Sequence, residues 1–328
     1  MHAATAWPDT LPSSTPPAAR PLTPTESHTP DSTAEAAVRR TRTHRQARPA
    51  RRSTSAVQTQ ALTGKQLGQP LVENSGAVYT VTCTRLDGQP IAVTGAWDGT
   101  VKIRDVAIRR HIGHALTGHG NCVSAVACTV LDGHPVAVTG AGDGTVLLWD
   151  LNARRKLGQP LTGHTAAINS VACTELDGQP IAITGANDNS IRIWNLTTHQ
   201  QLGQPMTGHE AAVYAVACTE LDGQPIAITG AIDGSVRMWD LTTGQQLGQP
   251  LIGHTQAVYT IACTTSDSCP TAVTGSSDAT VRIWDLKRGK SRLIRTGRGC
   301  QALDIYASYL VCGLDNDIAV FAIPTSLQ

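Results

Sequence analysis

The chain has 328 residues, is 41% hydrophobic and carries a formal net charge of +1. It contains no run of about 18 apolar residues, and Met1 to Thr10 lacks the basic start and apolar centre of a secretory signal. Neither membrane insertion nor export is expected, and the protein is read as cytoplasmic. Residues 1–54 stand apart from the rest: they hold eight of the 18 prolines, abundant Thr, Ser and Ala, and one aromatic, Trp7. Such a stretch buries too little apolar surface to offset the entropy of ordering it. It is expected to be a disordered tail, with a folded domain over 55–328. Seven arginines and no acid lie between Arg39 and Arg52, a segment suited to an anionic surface or polymer. The remaining residues carry 18 Lys and Arg against 21 acids, so no specific nucleic-acid partner is expected for the domain.

From Leu62 onward the chain copies itself. Lys65 to Leu71 matches Gln245 to Leu251 almost letter for letter. A unit ending in Trp-Asp then recurs every 45 residues, at Trp149-Asp150, Trp194-Asn195, Trp239-Asp240 and Trp284-Asp285, with Arg104-Asp105 one step earlier. Thirty residues before each tryptophan stands Gly-His, at Gly118-His119, Gly163-His164, Gly208-His209 and Gly253-His254. A fixed period of this length marks stacked supersecondary units that depend on their neighbours.

The copy from Leu202 to Leu241 reads as a small sheet. A short segment Gln201 to Met206 precedes the Gly-His turn, and Val213 to Cys218 supplies apolar, β-compatible residues. The pair Asp222-Gly223 between apolar runs signals a hairpin. Ile226 to Thr229 forms the next strand, with Pro225 at its head, where a missing amide costs least. Asp233-Gly234 predicts a second tight turn into Ser235 to Asp240, where Val236 and Met238 alternate with Arg237 and Trp239. Four short strands without a helix cannot cover both of their faces. Copies must therefore stack face to face around an axis, which is the logic of a β-propeller.

These residues resemble the WD40 repeat family, over roughly residues 62 to 323. The resemblance implies an all-β, WD40-type propeller whose blades have four antiparallel strands. It also implies a structural hydrogen-bonded network in each intact blade, built from the His, a strand hydroxyl, the turn Asp and the Trp. The sets are His119, Thr139, Asp143 and Trp149; His164, Thr184, Asp188 and Trp194; His209, Thr229, Asp233 and Trp239; and His254, Thr274, Asp278 and Trp284. The end copies depart from the pattern, with Asn74 and Arg104 around Thr94 and Asp98 in the first, and Cys312, Asp315 and Phe321 in the last. Six strand units start near Val78, Val123, Ile168, Val213, Val258 and Cys300, and six units of 45 nearly fill the 267 residues from Leu62 to Gln328. Six blades are expected, with seven as the alternative because the family more often uses seven. Lys65 to Leu71 is then a fourth strand without its own sheet, expected to pair with Ile318 to Phe321.

The chemistry expected here is sparse. Cys83, Cys128, Cys173, Cys218 and Cys263 fall at one equivalent position and read as small core hydrophobes, reduced as in a cytoplasmic protein. No CxxC or CxxH spacing suggests zinc, and histidines on blades about 10 Å apart cannot share one ion. No phosphate-binding glycine loop, nucleophile elbow or calcium loop occurs, so neither catalytic residues nor a cofactor is expected. A His, a hydroxyl and an Asp repeated four times lack the single asymmetric cleft an active site needs.

The copies vary before the turn Asp, at Trp97, Gly142, Asn187, Ile232 and Ser277, and early in the first strand, at Tyr79, Ser124, Asn169, Tyr214 and Tyr259. In WD40 relatives these positions lie on the top rim, so Tyr79, Trp97, Ser124, Asn169, Asn187, Tyr214, Ile232 and Tyr259 are the candidate partner-binding residues. Exposed aromatics are common interface anchors, although the tyrosines could equally pack against neighbouring blades. The expected function is that of a monomeric, non-catalytic scaffold for a protein or peptide. One alternative is a regulatory propeller like those fused to bacterial ATPases or kinases. Another is a propeller hydrolase, which would need carboxylates or histidines converging on the central channel.

Overall fold

The computed structural model describes residues 76–266, 269–306, 309–314 and 317–322. The expectations for the tail, for Lys65 to Leu71, and for Asn74 and Asp315 lie outside these residues. Among the described residues the chain is all-β, without a helix.

Blade 1 contains β1 (Val78–Leu86), β2 (Gln89–Ala96), β3 (Val101–Asp105) and the two-residue β4 (Arg110–His111), extended by a bridge between Val101 and Leu116. Blade 2 contains β5 (Val123–Leu131), β6 (His134–Ala141), β7 (Val146–Asp150) and β8 (Arg155–Leu161). Blade 3 contains β9 (Ile168–Leu176), β10 (Gln179–Ala186), β11 (Ile191–Asn195) and β12 (Gln200–Met206). Blade 4 contains β13 (Val213–Leu221), β14 (Gln224–Ala231), β15 (Val236–Asp240) and β16 (Gln246–Leu251). Blade 5 contains β17 (Val258–Ser266), β18 (Cys269–Ser276), β19 (Thr280–Asp285) and β20 (Lys290–Arg295). Blade 6 has three strands, β21 (Cys300–Tyr306), β22 (Tyr309–Leu314) and β23 (Asp317–Ala322). Each sheet is an antiparallel meander in sequence order, and the six first strands together line one central channel. The described residues form a six-bladed β-propeller, as expected, rather than the seven-bladed alternative.

The local chemistry accounts for the strand ends. In blade 4, Leu221 pairs with Gln224 across Asp222 and Gly223, both at positive φ (53° and 80°). Two consecutive positive φ values define the mirror-image turn that matches strand twist, and Asp-Gly is its preferred sequence. Pro225 sits second in β14 rather than first; its carbonyl accepts from Leu241 N at 3.1 Å, just past the end of β15, so the donor that proline lacks would have served only the margin of the sheet. The turn at Asp233-Gly234 is wider than the tight hairpin expected. Gly230 pairs with Val236, and the loop between them closes through Gly234 N to Ala231 O (3.1 Å) and Ala231 N to Ser235 O (3.3 Å).

Glycine sets the distance between blades. A Cβ on Gly230 would stand 2.5 Å from Val258 Cγ1, one on Gly185 2.6 Å from Val213 Cγ1, and one on Gly275 2.6 Å from Cys300 Sγ. The first residue of each following blade thus seats on a bare backbone, a close approach only glycine permits. Each interior seam is then filled by apolar residues from both sheets. Between blades 4 and 5 these are Ile226, Ile228, Val236, Met238 and Leu251 against Val258, Ala272, Trp284 and Leu286.

Candidate functional site

Two sets of residues recur in every intact blade: a buried polar chain along the blade flank, and a ring of variable side chains at one end of the channel.

The buried chain begins at the indole. Trp239 Nε1–H donates to Thr229 Oγ1 at 2.8 Å, and Thr229 Oγ1 lies 2.7 Å from His209 Nε2. His209 Nδ1 faces Ser235 Oγ at 3.0 Å and Asp233 Oδ2 at 3.4 Å. Blades 3 and 5 repeat the pattern, with His164 to Asp188 at 2.9 Å and His254 to Asp278 at 3.0 Å. In blade 2, His119 Nδ1 stands 3.7 Å from Asp143 and instead meets Thr145 Oγ1 at 3.2 Å. The aspartate does more than face the histidine. Asp188 accepts the amide of Thr165 on Oδ2 (3.0 Å), and the amide and hydroxyl of Ser190 on Oδ1 (3.0 and 2.7 Å). It thereby stitches the Gly-His loop to the turn of its own blade.

A fifth member, a hydroxyl two residues after each Asp, escaped the sequence reading: Thr145, Ser190, Ser235 and Thr280. A signal existed, since every intact copy has Thr or Ser there.

The electrostatics favour a neutral imidazole. Burial pushes the pKa of His209 down from 6.5 to about 4, with the Asp233 charge only partly opposing it. His119, His164 and His254 are lowered for the same reason. Burial alone would raise Asp233, but hydrogen bonds from the Ser235 hydroxyl and amide and the Glu210 amide outweigh it, and the carboxyl is held below its ordinary value. A neutral ring with its proton on Nδ1 can donate toward Asp and accept from Thr at Nε2, which completes the chain. In blades 3, 4 and 5 these groups are then partnered with one another.

The end copies lack this chain. Thr94 Oγ1 donates to Lys102 O at 3.4 Å and Arg104 is buried, while Asp98 Oδ1 accepts from the Thr100 hydroxyl at 2.6 Å. In blade 6 both Cys312 and Cys300 are buried among Val273, Val281 and Leu310.

The variable ring is placed by backbone geometry. The amides of Trp97, Gly142, Asn187, Ile232 and Ser277 donate to the carbonyls of Ala77, Cys122, Ala167, Ala212 and Ala257, at 2.8 to 3.0 Å. Each of those carbonyls precedes the channel-lining residue Tyr79, Ser124, Asn169, Tyr214 or Tyr259 by two positions. The two variable sets therefore share one end of the molecule, around a channel of about 440 Å³. Gln301 holds the sixth position.

The residues of this ring behave differently from one another. Trp97 is 60% exposed, Tyr79 50% and Ile232 45%. Tyr79 and Trp97 meet edge to face, with ring centroids 5.6 Å apart, as do Tyr214 and Tyr259 at 5.4 Å. Tyr214 and Tyr259 are half-buried against each other across a blade boundary. Ser124 and Asn169 are tied to the neighbouring blade: Ser124 Oγ donates to Ile168 O, and Asn169 Nδ2 donates to Val213 O at 3.1 Å and to Asn187 Oδ1 at 2.6 Å. The channel walls below are Thr, Val, Ala, Ser, Ile and Leu.

The cysteines divide as well. Cys128 and Cys263 are pushed up to about 12 by burial, and Cys173 and Cys218 are raised further. Cys83, expected in the core with them, is exposed, on the same strand as the exposed Val78 and Val81. Among the described residues no group of His, Cys, Asp and Glu is arranged to hold a metal, and no helix is long and apolar enough to cross a membrane.

Repeated antiparallel sheets around a channel, four of them pinned by a recurring buried polar chain, define a repeat propeller, a fold typical of protein-interaction scaffolds. The WD40 family, described as WD domain, G-beta repeat, matches residues 111–150, 155–195, 200–240 and 244–285. The chain belongs to that family. The four matches hold the four complete polar chains and leave out the divergent end copies. No curated protein matches the chain significantly.

Proposed function

We propose that the protein is a non-catalytic scaffold that captures a protein or peptide on the channel-mouth end of its propeller. The observation that carries this reading is the pair of aromatic clusters there, Tyr79 with Trp97 and Tyr214 with Tyr259, beside exposed Ile232. Elsewhere the copies are nearly identical, and their His, Thr, Asp and Trp groups are satisfied internally. Amphipathic aromatics present large area with little rotamer entropy to lose, which suits them to anchor a partner. Ser124, Asn169 and Asn187 contribute by holding the ring of first strands rigid between the clusters. A channel lined by aliphatic and hydroxyl side chains argues against the hydrolase alternative. Buried thiols of raised pKa fit a reducing compartment such as the cytoplasm.

The test is a variant carrying Trp97→Ala, Tyr79→Ala and Ile232→Ala, compared with the unaltered chain in affinity capture and then with the captured protein in purified form. Capture should be lost while the melting temperature stays within a few degrees. Equal capture by both proteins would refute the reading. A second variant, Tyr214→Ala with Tyr259→Ala, separates the two clusters.

A further inference from the structure

The outermost strand of blade 5 is built unlike its counterparts. In blades 2, 3 and 4 the fourth strand contains Gly-Gln-Pro, with Gly158, Gly203 and Gly248 at positive φ (61°, 65° and 66°), and its register against the third strand shifts at that point. A bulge and a proline both spoil a free strand edge for further pairing. Blade 1 has only the two-residue β4 in this place. β20 has neither device: it pairs with β19 without a shift, from Asp285 with Lys290 to Thr280 with Arg295.

The direction of its free groups follows from the alternation of an antiparallel ladder. Thr296 N donates to Ala279 O at 3.0 Å, so the next pair, Arg295 with Thr280, exchanges no bond, and bonded and unbonded pairs alternate from there. The N–H and C=O of Ser291, Leu293 and Arg295 therefore point away from β19, along an edge that no other strand among the described residues covers.

This edge is also basic. Lys287, Arg288, Lys290, Arg292, Arg295 and Arg298 all fall within 287–298, a segment without an acid. Lys287, Arg288 and Arg298 meet Asp222, Asp285 and Asp317 from outside it. Lys290, Arg292 and Arg295 are exposed, as is Leu293 between them. Side chains alternate along a strand, so Lys290 and Arg292 share the face that Ile294 anchors against the core, and Arg295 stands on the other. Cations on an edge repel a second copy of the same strand but favour an acidic one. The last described strand of blade 6, β23, presents an edge too, with Ile318 76% exposed where the equivalent Val281 is buried, but it carries no cation to select an occupant.

We propose that β20 is a docking edge for an extended acidic segment of a partner protein, which adds to blade 5 as a fifth strand. Main-chain bonds to Ser291, Leu293 and Arg295 hold the segment, and its carboxylates are selected by Lys290, Arg292 and Arg295. First strands line the channel and fourth strands lie farthest from it, so this surface is on the outer wall of the ring and is separate from the channel mouth.

The experiment uses the full-length chain and a short fluorescein-labelled peptide alternating Glu and Val, read by fluorescence anisotropy and by hydrogen exchange. Binding is expected, with slowed exchange of the Ser291, Leu293 and Arg295 amides and no change in β15. Lys290→Glu with Arg295→Glu should raise the Kd about tenfold or more, and so should Leu293→Pro, which removes an outward-facing N–H but no bond to β19. A fully N-methylated form of the peptide keeps its charge and loses its main-chain donors; equal binding by it would reduce the attraction to charge and overturn strand addition. Absence of binding by the parent peptide overturns the proposal, as does tighter binding of a thymidylate oligonucleotide of the same length, which would make nucleic acid the occupant. Protection of these amides that grows with protein concentration in the absence of peptide would instead assign the edge to a second copy of the chain.

Discussion

Trp239 donates its indole N–H to Thr229 Oγ1 at 2.8 Å, and the same oxygen stands 2.7 Å from the ring of His209. One fully buried hydroxyl therefore serves two partners, and through them joins the third strand of the blade to the loop before its first. Replacing it by the isosteric Thr229→Val leaves both the indole N–H and the imidazole nitrogen buried without a partner. The expected cost is about 1–3 kcal/mol in urea denaturation, because an orphaned buried polar group loses its hydration without compensation. A change under about 0.5 kcal/mol would contradict the account.

Acid should unfold the propeller earlier than its net charge suggests. His209 has its folded pKa depressed to about 4 from an ordinary 6.5. As pH falls through 6.5 the unfolded chain gains a proton that the folded chain refuses, so this stability is complete above pH 6.5 and is lost progressively down to about 4. Three further histidines are lowered in the same direction. Asp143, Asp188, Asp233 and Asp278, held below their ordinary value, add a second loss as they protonate in stronger acid. Melting temperatures measured from pH 7.5 to 4 should fall steadily, and His209→Gln should flatten part of that slope. A flat profile would disprove the neutral imidazole.

Gly230→Ala tests the seam. Its new methyl would stand 2.5 Å from Val258 Cγ1 and 2.9 Å from Val258 Cβ, both on the neighbouring blade. Overpacking of this kind costs typically about 1–3 kcal/mol. The pairing Gly230→Ala with Val258→Ala should recover part of the loss, read from thermal unfolding, since it removes the clashing methyl groups.

Tyr214 and Tyr259 should show energetic coupling. Their edge-to-face contact at 5.4 Å predicts a coupling of about 0.5–1.5 kcal/mol in a double-mutant cycle measured by denaturation. Additive single effects would mean that the two rings act separately.

Cys128, Cys173, Cys218 and Cys263 are half-buried beside the core and burial raises their thiols, so little thiolate exists at neutral pH. Iodoacetamide at pH 8 should leave these four unlabelled in the folded chain and modify all of them in urea, as followed by peptide mass. Rapid labelling in the folded state would contradict their placement.

Much of this architecture was legible in the residues themselves. The 45-residue period, the alternation in Val236 to Asp240 and the Asp222-Gly223 turn are local facts. Backbone chirality and the twofold alternation of a strand translate them into structure whatever the neighbours are. The number of copies favours six blades with seven as the alternative, while four members of the buried polar chain are implied only by the resemblance to WD40 repeats. Only the tertiary structure decided the rest. It alone showed that Ser235 completes the reach of His209, that Ser124 and Asn169 bond to the next blade, and that the aromatics divide into two pairs. It also showed that Val78 and Ile318 stand exposed where their counterparts are buried. Each of these depends on the distance between separate sheets. Packing across seams sets that distance, and no periodicity within one copy encodes it.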